Sequence, residues 1–92
     1  ANMDTWANSA VNSNSQLRGA VRSAYLPGAL PGGSSGGSGV ASGAYLTTFT
    51  FGGETGGSIR NPADRSGLVG YKVSGGSISV DRIIPVSYTH LT

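Results

Sequence analysis

The sequence predicts an α/β fold, and three observations in the middle of the chain lead to that prediction. Four apolar residues fall at helical spacing among glycines and serines: Val40, Ala41, Ala44 and Tyr45. The next segment, "LTTFTF" at 46–51, alternates aromatic residues with threonine, which is typical of a strand. A glycine-rich loop, a short helix or turn ending at Gly67 and a second strand, "LVGYKV" at 68–73, follow. Helices that alternate with strands favour a layered α/β structure.

The composition first suggests a flexible linker. The chain has 92 residues, a length that fits one small domain or a piece of a larger one, and only 37% of them are hydrophobic. It contains 16 glycines, and glycine and serine together make up about a third of it. A linker of this kind would not carry valine, tyrosine and leucine at helical spacing. A helix surfaced with glycine, alanine and serine instead allows close approach of a neighbouring backbone, so we expect a buried helix.

Charge and residue counts exclude several classes of function. The six basic residues are spread along the chain, which gives little support to nucleic-acid binding. There is no cysteine and one histidine, His90, so we expect no metal site and no cofactor. No run of about 18 apolar residues is present, so we expect no membrane span.

The two ends of the chain are less informative than its middle. "ANMDTWANSA" is predicted to open a helix, with Asn2 or Asp4 as the capping residue. The prolines Pro27 and Pro31 favour an irregular segment before the central helix. "ISVDRIIPV" at 78–86 is predicted to be a third extended segment.

The most informative stretch is "FGGETGGSIRNPA" at 51–63, in which two glycine pairs precede Ser58. If a helix starts near Ser58, the backbone N–H groups ahead of it are unpaired and carry partial positive charge. Glycines lack Cβ atoms, so a ligand can approach these amides. Should Ser58 be a nucleophile, the same amides are placed to bind the oxyanion of a tetrahedral intermediate.

Other interpretations of the glycine-rich loops remain open at this point. The loop before Ser58 is also compatible with a simple turn. A phosphate-binding loop would need lysine where Gly57 stands. "GGSSG" at 32–36 matches a nucleophile elbow but lacks a preceding strand, and His90 near the end of the chain makes a Ser-His-Asp triad improbable.

Taken together, "PGGSSGGSGVASGAYLTTFTFGGETGGSIRNPA" at 31–63 resembles the signature segment of the amidase signature family. "NMDTWA" near the start and "GLVGYKVSGGSIS" at 67–79 are similar to the segments that flank this signature. The resemblance implies a mixed β-sheet core with helices on both sides, and an enzyme that hydrolyses amide C–N bonds. An amidotransferase component of the same family and a non-catalytic glycine- and serine-rich segment are the alternatives.

The resemblance also implies roles for particular residues. Ser58 corresponds to the nucleophile, and Ser34 to the bridging serine, which follows a cis peptide bond at Gly33–Ser34. The oxyanion hole corresponds to the backbone amides of Thr55, Gly56, Gly57 and Ser58. A lysine amine accepts a proton through Ser34, and an acyl-enzyme forms on Ser58. Glu54 and Arg60 flank this loop, and we expect them to pair across it and fix the glycine amides.

The sequence departs from the family pattern in two places. Its one lysine, Lys72, follows the signature, and none precedes Ser34, where the family has its catalytic lysine. We therefore expect an internal fragment, 1–92, of a longer amidase signature domain, inactive by itself. The tail at 87–92 does not match the family, so we expect it to be non-native and assign no function to Tyr88 or His90. The sequence identifies neither the amide substrate nor the oligomeric state.

Overall fold

The computed structural model describes residues 14, 15, 17 and 19–81, which form two helices and one small hairpin. Strand β1, Asn14–Ser15, pairs antiparallel with β2, Gly19–Ala20, in the register Asn14 to Ala20 and Ser15 to Gly19. Helix α1 is Gly36–Gly43 and helix α2 is Arg60–Arg65. The helix predicted at 1–10, the end of the extended segment predicted at 78–86 and the tail at 87–92 lie outside the described residues.

The helix predicted from the small residues after Pro31 is confirmed as α1, and its last turn has a defined end. Tyr45 has a φ of 60°, in the left-handed region that usually favours glycine. The N–H of Tyr45 donates to the carbonyl of Ser42 at 3.1 Å, and the N–H of Leu46 donates to that of Ala41 at 3.0 Å. These two bonds form a Schellman motif, so α1 ends at Gly43 with tyrosine where glycine is the common residue.

The two helices pack through the glycines of α1, as its composition predicts. Gly39 and Gly43 are buried and lie four residues apart, on one face of the helix. A Cβ on Gly39 would lie 3.1 Å from both the Cβ and the carbonyl oxygen of Pro62, and one on Gly43 would lie 3.3 Å from the Cβ and carbonyl oxygen of Ser66. A side chain at either position would be unusually close to α2, so glycine favours this short distance between the helices. The buried centre is small and built from short side chains: Pro31, Pro62, Ala63 and Ser66.

The strands predicted at 46–51 and 68–73 do not pair in the described residues, where β1 and β2 are the strands present. The mixed sheet is therefore not seen in this part of the chain. A strand needs a neighbour that completes its ladder of hydrogen bonds, and neither segment has one here. Their apolar side chains are exposed accordingly, Phe51 to 81% and Val69 to 97%.

Hydroxyl groups of α1 hold the first of these segments. Ser38 Oγ donates to the carbonyl of Phe51 at 2.7 Å, and Thr50 Oγ1 donates to the carbonyl of Ser38 at 3.1 Å. Thr50 Oγ1 also lies 3.0 Å from Ser42 Oγ. The segment 49–52 thus runs along the serine face of α1 and leads directly into the glycine loop.

Neither described helix has the length and apolar character needed to cross a membrane.

Candidate active site

The loop between Gly53 and α2 is closed by the carboxylate of Glu54. Glu54 Oε1 accepts hydrogen bonds from the backbone N–H groups of Ile59, at 2.9 Å, and Arg60, at 2.8 Å. Its other oxygen, Oε2, lies 2.5 Å from Arg60 Nε in an ion pair. The pairing of Glu54 with Arg60 predicted from the sequence is confirmed. The carboxylate thereby ties the start of the loop to the first turn of α2 and fixes the span of the four residues between.

The two partners in this pair differ in exposure. The side chain of Glu54 is 0% exposed, whereas that of Arg60 is 62% exposed. Burial raises the pKa of Glu54, but the backbone N–H groups of Arg60 and Ile59, followed by the guanidinium of Arg60, stabilise the charged form more strongly. The net result is a pKa below its ordinary value. Glu54 is therefore a structural anion and not a proton donor near neutral pH.

The residues enclosed by this clamp present unpaired backbone donors. Among the described residues, none accepts a hydrogen bond from the N–H groups of Thr55, Gly56, Gly57 or Ser58. A Cβ on Gly56 or Gly57 would meet nothing within 4 Å, so the space beside them is open. Gly57 has a φ of 141°, a conformation that side-chain-bearing residues rarely adopt. The loop therefore offers several amides to a group that approaches from outside.

The loop that carries Ser34 lies against the loop that carries Ser58. The N–H of Ser35 donates to the carbonyl of Ser58 at 3.1 Å, although the two residues are 23 positions apart. The Gly33–Ser34 peptide bond is cis, in agreement with the expectation from the resemblance. Ser34 and Ser58 are both half-buried. The fold thus brings the loops of the two serines singled out from the sequence into contact, and within the described residues no hydrogen bond joins the two hydroxyls.

Lys72 is an exposed residue whose Nζ donates to the carbonyl of the adjacent Val73 at 2.8 Å. It lines an open groove of about 700 Å³ between α1, the segment 48–53 and the segment 68–80. Neither Ser34 nor Ser58 lines this groove. Lys72 thus shares the groove with Ser35 and Ile59, the neighbours of the two serines, but not with the serines themselves. His90 lies outside the described residues. In the part of the chain that the structure describes, no three potential metal-binding side chains cluster.

Two residues of the site were missed by sequence reasoning. Ser35 supplies the backbone bond between the serine loops, and its Oγ donates to the carbonyl of Gly53 at 3.3 Å. Asn61 donates its backbone N–H to the carbonyl of Gly57 at 2.7 Å, and its Oδ1 is buried. Asn61 stands at the variable position of Gly-Gly-Ser-Ile-Arg-x-Pro-Ala, so the pattern gave no signal for it. Ser35 was part of the motif, but the motif does not distinguish it from its neighbours.

Comparison with known proteins identifies the class to which this fold and site belong. The family model described as Amidase matches residues 1–92. The chain therefore belongs to the amidase family, as the resemblance predicts.

Individual relatives agree with this assignment. A putative amidase of Arthroderma benhamiae is 44% identical over 86 residues, which are 89% of this chain and 14% of that protein. An indoleacetamide hydrolase of Rhizobium radiobacter is 44% identical over 82 residues, 89% of this chain and 18% of the relative. One component of the mitochondrial glutamyl-tRNA(Gln) amidotransferase of Canis lupus familiaris is 47% identical over 49 residues, 49% of this chain and 9% of the relative.

The chain thus spans less than a fifth of the length of these curated relatives. No solved structure gives a significant match.

Proposed function

We propose that these residues carry the nucleophile and oxyanion hole of an amidase that cleaves a carboxylic amide through an acyl-enzyme. Ser58 is the nucleophile, Ser34 is the bridging serine, and a lysine from outside these 92 residues is the general base. The observation that carries the proposal is the run of amides at 55–58, which find no acceptor among the described residues and have open space beside Gly56 and Gly57. Donors held in place before the reaction stabilise the charge that develops on the carbonyl oxygen of a tetrahedral intermediate.

The chemistry follows from these groups. The Ser58 hydroxyl gives its proton to Ser34, whose own proton passes to the lysine amine, while Ser58 Oγ bonds to the amide carbon. The oxyanion accepts hydrogen bonds from the loop amides. When the C–N bond breaks, Ser34 returns a proton to the leaving amine. Water then attacks the acyl-enzyme, which releases a carboxylic acid and regenerates the Ser58 hydroxyl.

The clamp formed by Glu54 and Arg60 supports this role without taking part in proton transfer. The clamp fixes Ile59 and Arg60, immediately after the nucleophile, to the residue at the start of the loop. The four amides at 55–58, which lie between Glu54 and Ile59, are therefore constrained at both ends of the loop. A preformed arrangement of this kind avoids reorganisation when charge develops.

A second candidate is transfer of an amide group to an acceptor. It is favoured by the 47% identity with the amidotransferase component over the 49 residues that match. The same nucleophile and oxyanion hole serve both hydrolysis and transfer. The two reactions differ in the molecule that receives the nitrogen. A hydrolase releases ammonia or an amine into water, whereas a transferase requires an acceptor.

The test uses the full-length protein, meaning the product of the complete reading frame that encodes these residues. Its substrates are simple aryl amides and indoleacetamide, the latter taken from the name of a relative. We expect release of the carboxylic acid by the wild type and loss of turnover by at least about a thousandfold in Ser58→Ala, since a serine nucleophile has no substitute. Hydroxylamine in the buffer should trap the acyl group as a hydroxamate. Release of the carboxylic acid that depends on an added acceptor, with the nitrogen recovered on that acceptor, would instead favour the transferase. Turnover that survives Ser58→Ala would contradict both.

A further inference from the structure

Asn61 is a residue of α2 that contacts both serine loops. Its backbone N–H donates to the carbonyl of Gly57, the residue before Ser58, at 2.7 Å. Its Oδ1 lies directly against the Cα of Gly32, because a Cβ built on Gly32 would collide with that oxygen. Gly32 is buried, has a φ of 76° and stands two residues before Ser34.

The side-chain oxygen of Asn61 is held against Gly32 at an energetic cost. Oδ1 is buried, and among the described residues no group donates a hydrogen bond to it. A buried acceptor without a donor is unfavourable, and such cases are rare in folded proteins. Local strain of this kind is kept where the surrounding structure fixes the position of a residue, and it often lies at functional sites.

We propose that Asn61 is a positioning residue that holds the backbone ahead of Ser34 at a fixed distance from the backbone ahead of Ser58. The inference rests on the proposed function, since the distance matters only if protons pass between the two serines. The contact with Gly32 limits how far the Ser34 loop can move toward α2. The bond to Gly57 anchors the same residue to the loop of the nucleophile.

The expected consequence is a change in turnover and not in substrate binding. A misplacement of about 1 Å at a reacting group can lower the rate by about a hundredfold. Asn61→Ala removes the contact with Gly32 while it keeps the backbone bond to Gly57. We expect kcat to fall by about 10- to 100-fold and KM to stay within about twofold, because Asn61 is not assigned any contact with the substrate.

The experiment compares Asn61→Ala with Asp64→Ala in the full-length protein. Asp64 is an exposed residue of the same helix, so its replacement controls for a general effect on α2. Steady-state kinetics give kcat and KM. Hydrogen–deuterium exchange of the peptide that contains Ser35 reports on the bond from Ser35 N–H to Ser58, independently of activity. We expect exchange at Ser35 to be at least about tenfold faster in Asn61→Ala and within about twofold of wild type in Asp64→Ala.

A pair of glycine variants tests the same contact from the opposite side. Gly32 and Gly76 have similar positive φ angles, 76° and 83°, so alanine is strained at both. Only at Gly32 does the new Cβ meet Asn61, since nothing lies within 4 Å at Gly76. Gly32→Ala should lower kcat at least about tenfold more than Gly76→Ala. In a protein that already carries Gly32→Ala, the Asn61→Ala change should lower kcat by a smaller factor than it does in the wild type. The two effects are not additive because both changes act on one contact.

The outcomes separate this inference from the function on which it rests. A fall in kcat together with faster exchange at Ser35 supports it. If the wild type is active and Asn61→Ala alters neither kcat nor exchange, the inference is wrong and the proposed function stands. Faster exchange with unchanged kcat likewise overturns the catalytic role of the contact. If the wild type neither hydrolyses amides nor forms a hydroxamate, both are wrong.

Discussion

The unit formed by the two serine loops with α1 and α2 differs sharply from the segments 46–51 and 68–73. In the first, glycines allow backbone contact, and a buried carboxylate ties a loop to a helix. In the second, aromatic and branched side chains are exposed, and within the described residues no ladder of backbone hydrogen bonds forms. The comparison teaches that the two serine loops find their contacts within the described residues, often across more than 20 positions, whereas the apolar segments need a partner strand.

The largest effect is expected at Glu54, the residue that closes the loop before Ser58. Glu54→Ala leaves the N–H groups of Ile59 and Arg60 without their acceptor. We expect the free energy of unfolding of the full-length protein to fall by roughly 2–4 kcal/mol, since each unsatisfied donor costs about 1–3 kcal/mol. Urea denaturation measures the loss, with Asp64→Ala as the control. A loss no larger than in the control would show that the clamp does not organise the loop.

Acid titration tests the same carboxylate through its charge. The folded-state pKa of Glu54 lies below its ordinary value of 4.5, so the charged form is favoured by folding. Its contribution to stability is therefore complete above about pH 4.5 and is lost as the pH falls through the folded-state pKa. We expect the difference in unfolding free energy between wild type and Glu54→Gln to shrink on acidification below that pH. A difference that stays constant between about pH 6 and about pH 3 would contradict the assignment.

Gly70 marks the point where the second apolar segment touches the packed unit. A Cβ on Gly70 would lie 2.7 Å from the Cβ of Ala63 and 3.2 Å from the Cα of Arg60. Gly70→Ala should therefore lower the unfolding free energy by about 1–3 kcal/mol through overpacking. The matched variant is Gly53→Ala, where nothing lies within 4 Å of the new atom. Equal stabilities of the two variants would mean that the segment is not held against α2.

Arg60 should matter less for stability than its partner, because its side chain is 62% exposed and solvent screens its charge. We expect Arg60→Ala to lower the unfolding free energy by about 1 kcal/mol, above the roughly 0.5 kcal/mol typical of surface changes. Its activity should fall several-fold, because Glu54 loses one of its three donors next to Ser58. Unchanged turnover and unchanged stability would contradict a supporting role.

The smallest effect is expected at the end of α1, and its direction is stabilising. Tyr45 is 87% exposed and holds a left-handed conformation that costs a non-glycine residue roughly 1–2 kcal/mol. Replacing it with glycine relieves this cost but makes the unfolded chain more flexible. We expect Tyr45→Gly to raise the unfolding free energy by about 0.5–1 kcal/mol, measured by thermal denaturation. A loss of stability would show that the tyrosine ring makes a contact that outweighs the strain.

The same comparison explains what could be predicted from the sequence. The spacing of apolar residues among glycines and serines was enough to predict α1, although its buried face is formed by glycines and Tyr45 lies beyond its end. The charges of Glu54 and Arg60 lie six residues apart around a glycine loop, so their pairing was also predictable. The pairing of 46–51 and 68–73 depends on neighbours that a local pattern does not identify. The role of Asn61 depends on a contact with Gly32, 29 positions away, which no local motif encodes.

The measurement that tests the central claim most directly is covalent labelling of Ser58 by a fluorophosphonate. The oxygen of an activated serine displaces fluoride from such a reagent, and the phosphoryl oxygen of the ester that forms then lies in the oxyanion hole. In the full-length protein we predict one equivalent of label on Ser58 and none on the Ser58→Ala variant. The 92-residue chain alone should remain unlabelled, because the groove that Lys72 lines does not include Ser34 or Ser58 and no lysine precedes Ser34. Label that persists in Ser58→Ala, or that forms as readily on the 92-residue chain alone, would contradict the account.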